Sequence, residues 1–307
     1  MMRHQFALGT IGLVLGLFSC TSAWSATTAF SDTYKGSGSG AACDTNYAIT
    51  GVIPAGAAKR PVFVYLVGTS ESYDNAQARA AVAGMGARGF VAASVQYRSE
   101  VFGTCAEIAQ KAACVFKPKS TASAISKLCA RGDCAKGIVV AGFSQGSIAA
   151  ILARQTEARV KAVYGMGSFP NYTANYNMAS CMNNGKHVLR AKNLRIVNGE
   201  RDIFGGSTAK AVRSGSKAVT GKNCGTSAFS CLNSNGSGWI MVRDTQVKDK
   251  SADHCYQRAS KDCLGSQNVI DAKWKSGTES WSLPPSNISR HRLPQIMHLT
   301  KSLSVRK

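Results

Sequence analysis

The sequence predicts an α/β fold with a central, mostly parallel β-sheet and helices packed on both of its faces. Short apolar runs alternate with helix-forming segments along most of the 307 residues, which is the pattern of a sheet covered by helices. The runs are apolar throughout, as expected for parallel strands buried on both sides. Around residues 137–154 a strand, a glycine-flanked turn and a helix follow one another directly. The length allows one large domain or two small ones.

The N-terminal 25 residues form a separate unit. Arg3 precedes the apolar run 9–18, and small and polar residues follow, which is the pattern of a cleaved signal peptide. Cleavage is predicted after Ser25, with Ala23 as the alternative. The sequence before Cys20 loosely resembles a lipobox, which would instead attach a lipid there, but Phe18 is unusual at that position. The mature protein is therefore predicted to be exported, as a periplasmic or extracellular protein.

The predicted strands and helices follow in order. Residues 47–54 are an early edge strand. Residues 61–67 are an apolar strand that ends at the loop 68–70, and the alanine-rich segment 76–85 is a helix that stops near Gly86 and Gly89. The later elements are read in the same way from apolar runs and helix formers: strands 90–97, 138–141, 160–166, 194–199 and 238–242, and helices 120–128 and 147–154. The segment after residue 282 is polar and basic, and it is predicted to be a poorly ordered tail spanning 283–307.

Cysteine content supports export. Of the 11 cysteines, Cys20 lies in the predicted signal peptide, and an even number remains, as expected for disulfides formed in an oxidising compartment. Pairing of sequence neighbours predicts the following bridges, although other connectivities exist: Cys105–Cys114, Cys129–Cys134, Cys224–Cys231, Cys255–Cys263 and, from the remainder, Cys43–Cys181. A metal site is not expected because the cysteines form no Cys-x-x-Cys pair and the histidines are scattered.

The formal net charge is +21. Such a charge is compatible with anionic cell envelopes, acidic polysaccharides or nucleic acid. Lysines and arginines are dispersed and no nucleic-acid-binding motif accompanies them, so nucleic acid is not expected as a partner. We interpret the charge as a possible electrostatic association with an anionic cell surface.

Ser144 is the candidate nucleophile. It lies in Gly142-Phe143-Ser144-Gln145-Gly146, between a β-branched strand and a helix, which is the setting of a nucleophile elbow. Small residues on both sides allow strand and helix backbones to pass closely. The helix N-terminus then directs free N–H groups toward a developing oxyanion.

A serine hydroxyl needs a base and an orienting carboxylate to become nucleophilic. Where the chain order is serine, acid and histidine, His254 is the candidate base because it follows the last predicted strand, and Asp202 is the candidate acid because it follows strand 194–199. Glu200 is the alternative acid. Asp253 is adjacent to His254, but neighbouring side chains in an extended chain point apart. The remaining histidines of the mature chain fit less well: His187, His291 and His298.

On these residues, Gly142–Gly146, Gly199–Asp202 and Asp253–His254, the chain resembles the α/β-hydrolase superfamily of serine esterases over roughly residues 45–282. The resemblance implies a catalytic domain (26–282) with the α/β-hydrolase fold, no cofactor, and acyl transfer through a covalent acyl-enzyme. It also implies an oxyanion hole made by the backbone N–H groups of Gln145 and of the loop after strand 61–67, at Thr69.

Two functions remain at this point. The first is a secreted serine esterase that acts on a small-molecule or polymeric ester. The segment after Ser168 does not resemble a large apolar lid, which favours a small or polar-headed ester. The second is a non-catalytic secreted protein of the same fold that binds an anionic cell envelope.

Overall fold

A computed structural model describes residues 26–35, 43, 45–56, 59–117, 122–172, 175–182, 187–247 and 250–256. The predicted signal peptide (1–25), the predicted tail (283–307), Cys20 and Cys263 lie outside the described residues. A search of the described helices finds none with the length and apolar character needed to cross a membrane.

One nine-stranded sheet forms the centre of the molecule. Its strands are β1 (Thr27–Tyr34), β2 (Tyr47–Pro54), β3 (Val62–Leu66), β4 (Val91–Val95), β5 (Ile138–Phe143), β6 (Val160–Met166), β7 (Leu194–Gly199), β8 (Ser230–Leu232) and β9 (Gly238–Val242). The spatial order is β1-β2-β4-β3-β5-β6-β7-β9-β8. The inner strands β4, β3, β5, β6, β7 and β9 are parallel, whereas β1, β2 and β8 pair antiparallel at the two edges.

Burial explains why these sequences form inner strands. Every residue of β3, β4 and β5 is buried, so their apolar side chains contribute on both faces of the sheet. Full burial of one Val, Leu or Ile side chain stabilises the fold by about 1.5–3 kcal/mol. A parallel strand with two buried faces requires the continuous apolar runs seen in the sequence, and the prediction of a mostly parallel sheet is confirmed.

In the described part of the chain, five α-helices cover the sheet. They are α1 (Ala76–Ala87), α2 (Cys105–Phe116), α3 (Ala124–Arg131), α4 (Gln145–Leu152) and α5 (Ala209–Thr220). Four begin at a side chain that accepts a hydrogen bond from the first helical turn: Asn75, Thr104, Ser123 and Thr208. At α2 the cap is reciprocal, because Glu107 accepts in return from the N–H of Thr104. Only α4 begins without a side-chain cap, at Ser144.

The sequence did not predict four elements. Strand β1 covers β2 on its outer side, so β2 is not the edge strand that was expected. Polar residues interrupt β1, which hid it. Helices α2 and α5 and the short strand β8 were also missed, and the helix predicted at 120–128 begins later, as α3.

Two of the predicted disulfides are wrong. Cys105 bonds to Cys181, and Cys43 bonds to Cys114, in place of Cys105–Cys114 and Cys43–Cys181. Cys105 and Cys114 both lie in α2, nine positions apart, where about 3.6 residues per turn places them on opposite faces and about 13 Å apart along the axis. The pairs Cys129–Cys134 and Cys224–Cys231 are confirmed.

Candidate active site

Ser144 lies at the turn between β5 and α4, in the middle of the sheet. Its backbone has φ 51° and ψ −121°, which is a strained conformation for a residue with a side chain. The surrounding glycines make the turn possible. A Cβ at Gly142 would lie 2.3 Å from the carbonyl oxygen of Gly146, and a Cβ at Gly146 would lie 2.3 Å from the carbonyl oxygen of Leu66. The close backbone approach expected of a nucleophile elbow is therefore present.

Hydrogen bonds from three elements hold this turn in place. The N–H of Ser144 donates to the carbonyl of Met166 at the end of β6 (2.8 Å). The hydroxyl of Ser147 donates to the carbonyl of Ser144 (2.7 Å), and the hydroxyl of Ser168 donates to that of Ser147 (2.8 Å). Asn198 of β7 both accepts from the N–H of Ser168 and donates to its carbonyl. The strained serine is thus fixed by neighbours that are themselves buried.

Asp202 and His254 meet as a buried pair. Nδ1 of His254 lies 2.7 Å from Oδ2 of Asp202, and both residues are almost inaccessible to solvent. The other carboxylate oxygen of Asp202 accepts from the N–H of Phe204 (3.0 Å). With both oxygens engaged, the carboxylate has one orientation, and it holds the imidazole ring by one nitrogen.

The other acids considered for this role are occupied elsewhere. Glu200 accepts from the N–H of Asp244 (3.0 Å), and Asp253 accepts from the N–H of Cys255 (2.8 Å). Arg201 pairs with Asp244 and not with Asp202. His291 and His298 lie outside the described residues.

Aromatic side chains and one glycine enclose the ring of His254. Ring centroids of Phe204 and Phe143 lie 4.5 and 4.9 Å from it, and that of Tyr172 lies 6.5 Å away. A Cβ at Gly167 would lie 2.6 Å from Cε1 of His254, so the ring packs directly on that backbone. The hydroxyl of Tyr172 fixes the same turn, because it donates to the carbonyl of Gly167 and accepts from the N–H of Phe169.

Two residues that pack on His254 also adjoin Ser144 or its hydrogen-bond partner. One of them, Phe143, immediately precedes Ser144 in the chain. The other, Gly167, directly follows Met166, the residue whose carbonyl bonds to Ser144. Nε2 of His254 is buried and has no hydrogen-bond partner among the described residues, so the Ser144 hydroxyl is not hydrogen-bonded to it in this structure.

The two candidate oxyanion donors lie at adjacent strand ends. Gln145 is the first residue of α4, and Thr69 follows β3. Across the described part of the chain, neither backbone N–H has an acceptor. By contrast, the neighbouring N–H of Gly68 donates to the carboxylate of Glu71 (2.6 Å). A free N–H at each of two positions is what an oxyanion site requires.

A side-chain network joins these two positions. The amide nitrogen of Gln145 donates to the hydroxyl of Thr69 (3.0 Å) and to the carbonyl of Ser99 (3.1 Å). Its amide oxygen accepts from Nζ of Lys111 (2.9 Å). Lys111 also donates to the carbonyls of Val101 and Phe102. The buried Gln145 side chain therefore ties α4 to the loop that carries Thr69.

Lys111 is the residue of this region that sequence reasoning missed. It lies on α2, which was not predicted, and only 6% of its surface is exposed. Burial lowers the pKa of its ammonium group, and nearby Glu107 partly offsets that effect. A cation in this position is costly unless its donors are satisfied, and the carbonyl and amide acceptors satisfy them.

The neighbour of His254, Cys255, is buried and disulfide-bonded. The predicted partner, Cys263, lies outside the described residues, so that pair stays a prediction. Among the described residues, no group of three or more His, Cys, Asp or Glu side chains could hold a metal ion.

No protein-family model matches the chain, and no curated protein matches it. The solved structure named m3DLH superposes with a TM-score of 0.53 at 13% identity, over 83% of this chain and 94% of that chain. A dienelactone hydrolase-like promiscuous phosphotriesterase, P91 from metagenomic libraries, gives 0.49 at 14% identity over 83% and 95%. XC6422 from Xanthomonas campestris, an α/β serine hydrolase without a lid, gives 0.44 at 10% identity over 70% and 83%. With the strand order, the first likeness confirms the predicted α/β-hydrolase fold.

Proposed function

We propose that this chain, which has the α/β-hydrolase fold, is an exported serine hydrolase that cleaves carboxylic esters through an acyl-enzyme on Ser144. The observation that carries the proposal is a strained Ser144 whose neighbour Phe143 packs on a buried His254, which Asp202 holds at 2.7 Å and whose Nε2 has no partner among the described residues. A protein that only binds a ligand has no need of this combination. The four described disulfides support export to an oxidising compartment.

In the proposed reaction, Oγ of Ser144 attacks the acyl carbon while Nε2 of His254 takes its proton. Asp202 keeps the imidazole in the tautomer with the proton on Nδ1, and it stabilises the imidazolium that forms. His254 then gives the proton to the leaving alcohol. Water attacks the acyl-enzyme in the second half of the cycle, with His254 again acting as base, and releases the acid and free Ser144.

The tetrahedral intermediate carries its negative charge on the former carbonyl oxygen. The N–H groups of Gln145 and Thr69 are the proposed donors to that oxygen. Because each has no acceptor among the described residues of the resting protein, neither must break a protein hydrogen bond to make the new one. Removal of one such preorganised donor typically lowers kcat by about 10²- to 10³-fold.

The proposed substrate is a small or polar-headed ester, as a small molecule or as part of a polymer. The segment after Ser168 supplies Tyr172 and Tyr176, which pack on Phe102 with ring centroids 4.8 and 5.2 Å away. It is bridged to α2 by Cys105–Cys181. These contacts support a fixed aromatic wall next to His254 in place of a mobile lid.

The test is hydrolysis of p-nitrophenyl esters of increasing acyl length by the wild type, Ser144→Ala and Ser214→Ala. Ser214 lies on the exposed side of α5, so its variant controls for handling and folding. We expect short esters to react fastest, Ser144→Ala to lose about 10⁴-fold or more in kcat/KM, and Ser214→Ala to match the wild type. Normal activity of folded Ser144→Ala would contradict the proposal.

A further inference from the structure

The two ends of the parallel strands differ in charge. The site lies at the carboxyl ends of β3, β5, β7 and β9. At the opposite, amino ends, five exposed cations precede or begin neighbouring strands: Lys59, Lys136, Lys161, Arg190 and Lys192. We call these five residues the basal cluster. It belongs to β3, β5, β6 and β7, which are consecutive in the sheet.

Local contacts join members of the basal cluster to one another and to the strands beside them. Nζ of Lys136 donates to the carbonyl of Lys59 (2.7 Å). The stem of Lys161 packs over Gly137, where a Cβ would lie 2.9 Å from its Cγ. The carbonyl of Lys192 accepts from the side chain of Asn235, which precedes β9. With adjacent strands about 4.8 Å apart, these charges span about 14 Å across the sheet.

Acidic residues do not balance this end. Of the two described acids beside the basal cluster, Glu157 is buried and accepts two hydrogen bonds from the Arg159 guanidinium. Asp133 is half-buried and accepts from the N–H of Ala135, so it offsets one of the five positive charges. Exposed or half-buried acids lie at the site end of the strands instead: Asp74, Glu100, Glu107, Glu200 and Asp244.

The positive surface extends in two dimensions. The basal cluster lies in a row across the amino ends of the strands, and residues at the C-terminal ends of flanking helices add positive charge beside that row. Arg88 follows α1, and Arg154 follows α4. Part of this charge offsets the partial negative charge of the helix C-termini, but the basal cluster itself belongs to strands and their approach loops.

We infer that the basal cluster is a docking surface for an anionic lipid bilayer. A broad positive surface complements a plane of anionic headgroups, and each Lys or Arg near such a plane adds to binding. No nucleic-acid-binding motif accompanies the lysines and arginines of the chain. Because the basal cluster and Ser144 lie at opposite ends of the strands, a docked molecule presents the candidate active site to the surrounding solution.

The test is co-sedimentation of the full chain with vesicles of equal parts phosphatidylglycerol and phosphatidylcholine, and with pure phosphatidylcholine vesicles. The basal variant is Lys59→Gln/Lys136→Gln/Lys161→Gln. The control is Lys35→Gln/Lys210→Gln/Lys250→Gln, which removes the same charge from exposed lysines outside the basal cluster. Ser144→Ala is measured in parallel, because docking does not depend on the proposed reaction.

We expect binding to the anionic vesicles only, weakening with added salt. The basal variant should bind about 100-fold more weakly, whereas the control and Ser144→Ala should stay within about threefold of the wild type. Equal losses in the basal and control variants, or no loss in the basal variant, would overturn the assignment of this surface. Binding to heparin without binding to anionic vesicles would overturn the choice of a bilayer in favour of an acidic polymer.

Discussion

The candidate active site has two parts that are built differently. In the first, two side chains contact each other directly. In the second, two backbone N–H groups are held in place by side-chain hydrogen bonds. The proposed base side consists of His254 and Asp202, in contact at 2.7 Å and buried. The proposed oxyanion side presents the N–H groups of Gln145 and Thr69, joined through the side chain of Gln145 and supported by Lys111. The base side therefore depends on a few atoms, whereas the oxyanion side distributes its geometry over several hydrogen bonds.

This difference predicts how each side responds to substitution. In the proposed reaction, loss of a base-side residue removes a group that takes or positions the proton, so a large effect is expected. Loss of a supporting residue on the oxyanion side shifts a donor without removing it, so the effect is smaller and falls on kcat more than on KM.

The largest expected effect in this comparison is that of Asp202→Asn. The amide can still accept from the N–H of Phe204, but its NH₂ group faces Nδ1 of His254 and selects the wrong tautomer. We expect a loss of about 10⁴-fold in kcat with little change in melting temperature. Glu200→Gln is the matched control, since Glu200 contacts the N–H of Asp244 and not His254. If Glu200→Gln were inactive and Asp202→Asn active, the carboxylate that orients His254 would be Glu200 and not Asp202.

An intermediate effect is expected for Lys111→Met, which keeps most of the length of the side chain and removes the donor to Gln145. Misplacement of an oxyanion donor should lower kcat by about 10- to 100-fold, less than outright removal of one, and leave KM nearly unchanged. Loss of the lysine hydrogen bonds lowers the melting temperature, whereas removal of a buried positive charge raises it. Because these two effects oppose each other, the melting temperature should change little. Lys127→Met on α3 is the control. An unchanged kcat in folded Lys111→Met would contradict the prediction that the hydrogen bonds of Lys111 and Gln145 position an oxyanion donor.

The smallest expected effect is that of Tyr172→Phe. Its hydroxyl bonds to Gly167 and to the N–H of Phe169, and His254 packs on this turn. Loosening the turn should lower kcat by about 3- to 10-fold, consistent with the loss of about 1 kcal/mol of hydrogen bonding. Tyr176→Phe is the matched control, because the Tyr176 hydroxyl has no partner in the described part of the chain. Equal losses in both variants would attribute the effect to the aromatic cluster as a whole.

Local sequence was sufficient for the parts of the molecule that depend on neighbouring residues. The buried strands, the elbow at Ser144 and the strand-end position of Asp202 follow from apolar runs and from glycines at fixed spacing. The two short-range disulfides, Cys129–Cys134 and Cys224–Cys231, also followed from spacing.

Features that depend on tertiary packing did not follow from the sequence. Lys111 contacts Gln145 across 34 positions, and no local pattern links them. The pairing of Cys105 with Cys181 spans 76 positions and that of Cys43 with Cys114 spans 71. Once α2 is known, its geometry excludes the Cys105–Cys114 bridge, but the polar residues in that segment concealed the helix.

The central claim is that Ser144 is an activated nucleophile, and covalent labelling tests it most directly. Wild type and Ser144→Ala are incubated with a fluorophosphonate, and intact mass and peptide mapping then show how many adducts form and where. The account predicts one adduct on the wild type, located on Ser144, and none on folded Ser144→Ala. A folded wild type that takes up no label, or a label on another serine that persists in Ser144→Ala, would contradict it.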